Sequence, residues 1–380
     1  FVAFETQPNT PATYSNTSVH ILGWQGGVFK EITSKWLPDS SNEVEGVGDL
    51  CFGDFNGDGR IDVFLSTYSD MEYPVHPYAL MNQGDYFEKV QFPVQTWMHA
   101  VTCADINKDG FDDVLVAGYS NFPQYLGSAI GLVAYQGMVG SSGVAAGDFL
   151  GDGTVQAVFV DTGSTPNLDT KLFSLGIGQI LKIVQFTPIA TLPGPRLDLI
   201  FTDPEDPASR HDIRARAVDF NNDGKLDVVV FSNRARHQET YTNASEIQFL
   251  QNKGGGKFED VTDSIRSGYD VGGMAGYFPE FRDFNGDGLV DLFVSSPTFG
   301  TGDSYSGYRY RHSTLLLQHP DGTFVDTSKS DLNALMDEGD GGSQGVFAKG
   351  PGGVFYLVRE FRWRFNGLTR VSIYQLKPPK

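Results

Sequence analysis

The chain has 380 residues, with 47 acidic against 28 basic side chains and a formal charge of −19. That balance argues against nucleic acid or an anionic lipid surface as the main partner, since each is held by a net positive face. Glycine (45), Phe (29) and Tyr (16) point to turns and strands rather than helices, and no apolar run approaches the roughly 18 residues of a spanning helix.

In chain order, FVAFET (1–6) reads as a strand and VHILGWQGGVFKEIT (19–33) as a hairpin. A recurring unit then begins. A short apolar stretch (47–53) leads into DFNGDGRID (54–62), followed by the strand-like run VFLST and the hairpin YALMNQGDYFEKVQF (78–92). The same order returns with DINKDGFDD (105–113) before VLVAG, with DFLGDGTVQ (148–156) before AVFVD, with DFNNDGKLD (219–227) before VVVFS, and with DFNGDGLVD (283–291) before LFVSS. Later hairpins are IQFLQNKGGGKFEDVT (247–262) and TLLLQHPDGTFVDT (314–327), whose Gly-bearing turns supply the positive φ that hairpins need. The runs 345–349, 354–360 and 370–376 read as three more strands. Each unit is strand A, Asp loop, strand B, long loop, strand C, tight turn, strand D, which is one blade of a β-propeller. Counting units as 1–33, 47–92, 98–139, 143–187, 213–262, 278–327 and 344–377 predicts seven blades in one domain over 1–380. Segment 188–212 is read as an insertion; if its run 196–202 begins another unit, the count is eight. The start at Phe1 leads us to expect a piece of a larger protein. Cys51 and Cys103 are too few for a disulfide scaffold and are expected as buried free thiols on strands.

The nonapeptide carries the chemistry. Positions 1, 3, 5 and 9 offer side-chain oxygens, position 7 a backbone carbonyl, and Gly at position 6 permits the sharp turn. The candidate ligands are Asp54, Asn56, Asp58, Arg60 and Asp62; Asp105, Asn107, Asp109, Phe111 and Asp113; Asp219, Asn221, Asp223, Lys225 and Asp227; and Asp283, Asn285, Asp287, Leu289 and Asp291. An all-oxygen set with three carboxylates suits Ca²⁺ better than Mg²⁺. The twelfth position, where an EF-hand needs a carboxylate, is Leu65, Val116, Val230 or Val294, and β-formers follow where that motif needs a helix. About four calcium ions are expected. The copy at 148–156 has Leu150 and Gln156 at positions 3 and 9 and is expected to be weak or empty.

Together with the hairpin residues Leu250, Asn252, Gly254, Gly256, Phe258, Asp260, Val261 and Thr262, the loops resemble FG-GAP/VCBS repeats, as in integrin α-subunit headpieces, fungal propeller lectins and bacterial surface proteins. The resemblance covers nearly the whole chain except 188–212. It implies a β-propeller with calcium in the A–B loops and an extracellular or cell-surface setting; it implies no one ligand. In a four-stranded meander the A–B and C–D connections share one face and the long B–C loops the other. The B–C loops hold Tyr73, Tyr125, Arg234, Arg236, His237, Tyr308, Arg309, Tyr310 and Arg311, residues suited to stacking on sugars or pairing with carboxylates. The expected function is non-catalytic recognition of a glycan or a cell-surface protein. A calcium-dependent polysaccharide lyase-like enzyme and a structural propeller in a larger surface or toxin assembly are the alternatives. Histidines lie singly, and no nucleophile elbow or phosphate-binding loop occurs.

Overall fold

The computed structural model describes residues 2–4, 16–38, 42–45, 47–67, 75–94, 98–118, 123–137, 140–160, 170–194, 211–233, 245–267, 278–295, 314–327, 345–349, 355–362 and 369–375. Among them the fold is all-β apart from two single-turn helices, Thr33–Trp36 and Thr262–Ile265. No helix is long and apolar enough to cross a membrane among these residues.

Five four-stranded antiparallel meanders follow one another. Blade I is Val47–Gly53, Asp62–Thr67, Tyr78–Asn82 and Phe87–Gln91. Blade II is Met98–Ala104, Asp113–Gly118, Gln124–Leu126 and Val133–Tyr135. Blade III is Gly143–Gly147, Gln156–Val160, Thr170–Gly178 and Ile183–Leu192. Blade IV is His211–Val218, Asp227–Asn233, Ser245–Gly254 and Lys257–Asp260. Blade V is Phe278–Arg282, Asp291–Ser295, Thr314–Gln318 and Phe324–Asp326, with Arg266–Ser267 parallel to its last strand. Strand B of blades I, II and III is buried at every residue, which is why those segments read as unbroken apolar runs rather than alternating ones. Strand A of blade I alternates in burial toward its end, as a strand with two unlike faces must.

Seven or eight blades were expected; the described residues form five. At the N-terminus, Val2–Phe4, Asn16–His20 and Glu43–Glu45 make a three-stranded sheet, while Leu22–Gln25 and Val28–Glu31 form a separate two-stranded ribbon. The chain leaves the ladder at Ile21, whose amide goes to the Thr33 hydroxyl at 2.8 Å. At the C-terminus Gly345–Lys349, Phe355–Arg362 and Thr369–Gln375 make a sheet of three strands among the described residues. Of the expected insertion, 188–192 simply extends blade III's last strand, and 195–210 lies outside the described residues.

Two compact units account for the chain. One holds Phe1–Gly194 with Ala215–Ala217 and Asn252–Phe258; the other holds Pro195–Arg214, Val218–Gln251 and Glu259–Lys380. Within the first, the core lies between blades. Phe64, Val114, Val116, Tyr125, Met98 and Met81 fill the space between blades I and II, and Leu115, Leu126, Val144, Phe159 and Phe173 that between II and III. In the second, Phe231, Phe249, Leu292, Val294 and Leu316 join blades IV and V. Each such side chain contributes about 1.5–3 kcal/mol on burial.

Two further ties hold strands A of the first unit together. Cys51 and Cys103 are joined as a disulfide, with Cα atoms 5.6 Å apart, so the expectation of free thiols is corrected. They stand one residue out of step in strands A of adjacent blades, Cys51 three residues ahead of Asp54 and Cys103 two ahead of Asp105, and since successive residues of a strand face opposite ways, the offset turns the two sulfurs toward each other between the blades. Asp49, fully buried, bonds the amides of Leu50 (3.0 Å) and Val101 (3.1 Å) and the guanidinium of Arg216 (3.1 Å).

Candidate functional site

The five Asp loops share one hydrogen-bond plan. At position 1 a carboxylate faces back into its own turn. Asp54 accepts from the amides of Asp58 (3.0 Å) and Gly59 (2.8 Å), and Asp105, Asp219 and Asp283 repeat this with their own fifth and sixth residues. The position 3 Asn points its oxygen at the same fifth amide, at 3.2 Å in Asn56 and 2.9 Å in Asn107, Asn221 and Asn285. The first and third side chains thus bring two oxygens to one spot. Position 5 joins them: Asn56, Asn107 and Asn285 donate to Asp58, Asp109 and Asp287 at 2.8–2.9 Å. Position 7 gives its amide to the position 5 carboxylate in all four intact loops, from Arg60, Phe111, Lys225 and Leu289. The turn requires left-handed backbone at position 6, where φ is 80° to 90° in Gly59, Gly110, Gly224 and Gly288. Position 4 is left-handed too, and there Lys108 and Asn222 adopt it without being glycine.

Position 9 behaves differently. Asp62, Asp113, Asp227 and Asp291 are fully buried. One oxygen takes the amide of the loop's second residue, Phe55, Ile106, Phe220 or Phe284, at 2.8–3.2 Å. In three of them the other oxygen takes an amide at the end of strand C: Asn82 (2.6 Å), Gly127 (2.8 Å) and Gln318 (2.9 Å). The A–B loop and the C–D side of a blade are therefore stapled at one end, as the meander requires. In the fifth loop Gln156 takes over the inner half of this duty with an amide, holding its own turn. Its oxygen accepts from Phe149 (2.8 Å) and Leu150 (3.1 Å), and its nitrogen donates to the Thr154 carbonyl (2.9 Å) and hydroxyl (2.6 Å). The turn survives the changes at positions 3 and 9 because Asp148 and Gln156 hold it from within.

Electrostatics distinguish the loops. Burial pushes the Asp113 carboxyl up to about 7 and that of Asp291 up to about 6, with the neighbouring aspartates of each loop adding to the effect. Asp62 is raised for the same reasons. These are buried negative groups among other negative groups, the environment a divalent cation relieves. In two loops a side chain already supplies positive charge: Arg60 pairs with Asp58, and Lys225 Nζ lies 3.0 Å from Asp223. Phe111 and Leu289 offer none. The donor chemistry, three carboxylates and an amide oxygen in nine residues, fits a hard cation. The ligand geometry is not assembled: among the described residues no three His, Cys, Asp or Glu side chains gather as a metal site, because position 9 turns to the staple while positions 1 and 5 turn to backbone amides.

The FG-GAP-like repeat family matches residues 54–116 and 219–294. Four-stranded blades carry both segments. The chain contains FG-GAP-like repeats in blades of the propeller type. A comparison with curated proteins finds none that matches. The repeats explain the hairpin residues singled out in the sequence. Asn252 donates to the Phe149 carbonyl (2.8 Å) and accepts from Gly254 (2.8 Å), so it ties its hairpin to the loop of blade III. Asp260 accepts from the Thr262 hydroxyl (2.6 Å), which in turn accepts the Phe249 amide (2.9 Å).

The surface residues expected to meet a ligand fare unevenly. Tyr125 is not on a loop. It sits in strand C of blade II, fully buried between Phe64 and Phe92, so it is a core residue and is withdrawn from the site. Tyr73, Arg234, Arg236, His237, Tyr308, Arg309, Tyr310 and Arg311 lie outside the described residues. Sequence reasoning missed the staple role of position 9, the 51–103 disulfide, and Asp112, a fourth acid in its loop where the other copies have Ile61, Val155, Leu226 and Val290.

Proposed function

We propose that this chain, with its FG-GAP-like repeats, is a non-catalytic recognition module of a secreted or cell-surface protein, stabilised by calcium and binding a glycan or a protein surface through its long B–C connections. The observation that carries the reading is how the blade ends are used. The A–B loops and C–D turns are bound to each other through position 9, so variation is left to the opposite connections, where the Tyr- and Arg-rich segments 232–245 and 299–312 fall. Arg pairs with carboxylates and Tyr stacks on sugar faces, which favours an acidic or neutral saccharide. The inter-blade disulfide accords with an oxidising compartment.

Calcium would be held by positions 1, 3, 5 and 9 of the loops beginning at Asp54, Asp105, Asp219 and Asp283. Its chemistry there is charge neutralisation of three crowded carboxylates. The chain's own residues do the rest: the staple fixes the loop to its blade, and the left-handed sixth residue closes the turn. The loop at Asp148 lacks the third and ninth donors and keeps its shape without them.

A glycan array probed with the calcium-loaded protein tests the reading. Binding to a defined saccharide class, reduced at least tenfold by Tyr308→Ala with Arg309→Ala, is expected. Depolymerisation of a bound polysaccharide would replace the module by an enzyme. Retained binding in that double variant would move the site off these loops.

A further inference from the structure

The first two Asp loops are not separate. Asp112, at position 8 of the second loop, accepts the amide of Asp54, the first residue of the first loop, at 2.8 Å, and its own amide donates to the Asp54 carbonyl at 3.0 Å. Ser128, from blade II, donates its amide to the Phe55 carbonyl at 3.1 Å. The surfaces interlock as closely. A Cβ on Gly53 would lie 2.7 Å from that of Asp112, one on Gly57 would lie 2.7 Å from the Phe111 ring, and one on Gly127 would strike the Asp112 and Phe55 carbonyls at 2.4 and 2.9 Å. The Cys51–Cys103 disulfide joins the two strands that lead into the loops.

Asp112 is not one of the nonapeptide's oxygen donors, and it is the only acid at position 8 among the five copies. We infer that Asp112 is a positioning residue for the cation site of the first loop, so that the loops at 54–62 and 105–113 fill as a coupled pair. The inference rests on the calcium reading above. Physically, the Asp112 carboxylate fixes the backbone from which Asp54 projects, and Asp54 is the residue that turns both its oxygens inward. Any ordering of the second loop by a cation therefore reaches the first through two hydrogen bonds and a steric lock. Lys108 of the second loop also reaches the loop at 148–156, its Nζ lying 3.2 Å from where a Cβ on Gly153 would stand.

The test is a double-mutant cycle read by calorimetric calcium titration of the full chain. Asp58→Ala removes a donor of the first loop; Asp112→Ala removes the positioning carboxylate. Asp112→Ala alone should weaken one site about tenfold, roughly 1.4 kcal/mol, while adding it to Asp58→Ala should change little further. Asp112→Asn, which keeps an acceptor oxygen for the Asp54 amide, should restore most of the affinity, a rescue that a loss of stability alone does not predict. Site affinities within twofold of the parent in Asp112→Ala would overturn the coupling and leave calcium binding intact. Absence of any calcium heat in the parent chain would overturn the calcium reading and this inference with it.

Discussion

A buried carboxylate at position 9 meets two backbone amides at once, and each amide left unpaired costs about 1–3 kcal/mol. Asp113→Ala should therefore lower stability by about 2–4 kcal/mol in urea unfolding, whereas Asp113→Asn, which keeps one acceptor oxygen but turns an NH₂ donor toward the second amide, should cost about half as much, about 1–2 kcal/mol. Equal losses in the two variants would contradict the staple. Position 7 tunes the same loop. The Lys225–Asp223 pair is exposed and worth about 0.2–1 kcal/mol, so removing the ammonium in Lys225→Leu should tighten calcium at that loop by up to about fivefold. Weaker binding in Lys225→Leu would sink that account. The sequence displayed every carboxylate but not its direction. Spacing shows which residues share a loop; that position 9 also staples the loop to its blade becomes visible only with the strands in place.

Strands A of blades I and II carry more of the fold than their short length suggests. The disulfide closes a separation of 52 residues, and a link of that kind contributes about 2–4 kcal/mol. Reduction should lower the urea midpoint accordingly, and an unchanged midpoint after complete reduction would remove the disulfide from the stabilising set. Asp49 is the more severe site. Asp49→Ala strips a buried partner from Arg216 and an acceptor from Val101, and a broken buried pair costs about 3–5 kcal/mol. A loss under about 1 kcal/mol in that variant would contradict the tie. Strands B and the hairpins were legible because their signals are local: apolar runs, and glycines such as Gly322 with φ 85°. The disulfide was not, since two cysteines 52 residues apart reveal nothing of strand packing until the blades are placed.

At the scale of the molecule, repetition made the fold class legible and also misled the count. Five segments with an Asp loop became five blades, while the end segments, which lack it, formed three-, two- and three-stranded sheets instead. The C-terminal segment pairs its first two strands without an Asp loop, so the loop marks a blade in the sequence but is not required for that pairing. The same loops carry the central claim, that the propeller is a calcium-stabilised module. The most direct measurement is the number of calcium ions bound per chain at equilibrium, taken with thermal melts of the loaded and chelated protein. About four ions and a lower melting temperature in chelator are predicted. No bound calcium, with melts that coincide in excess chelator, would contradict it.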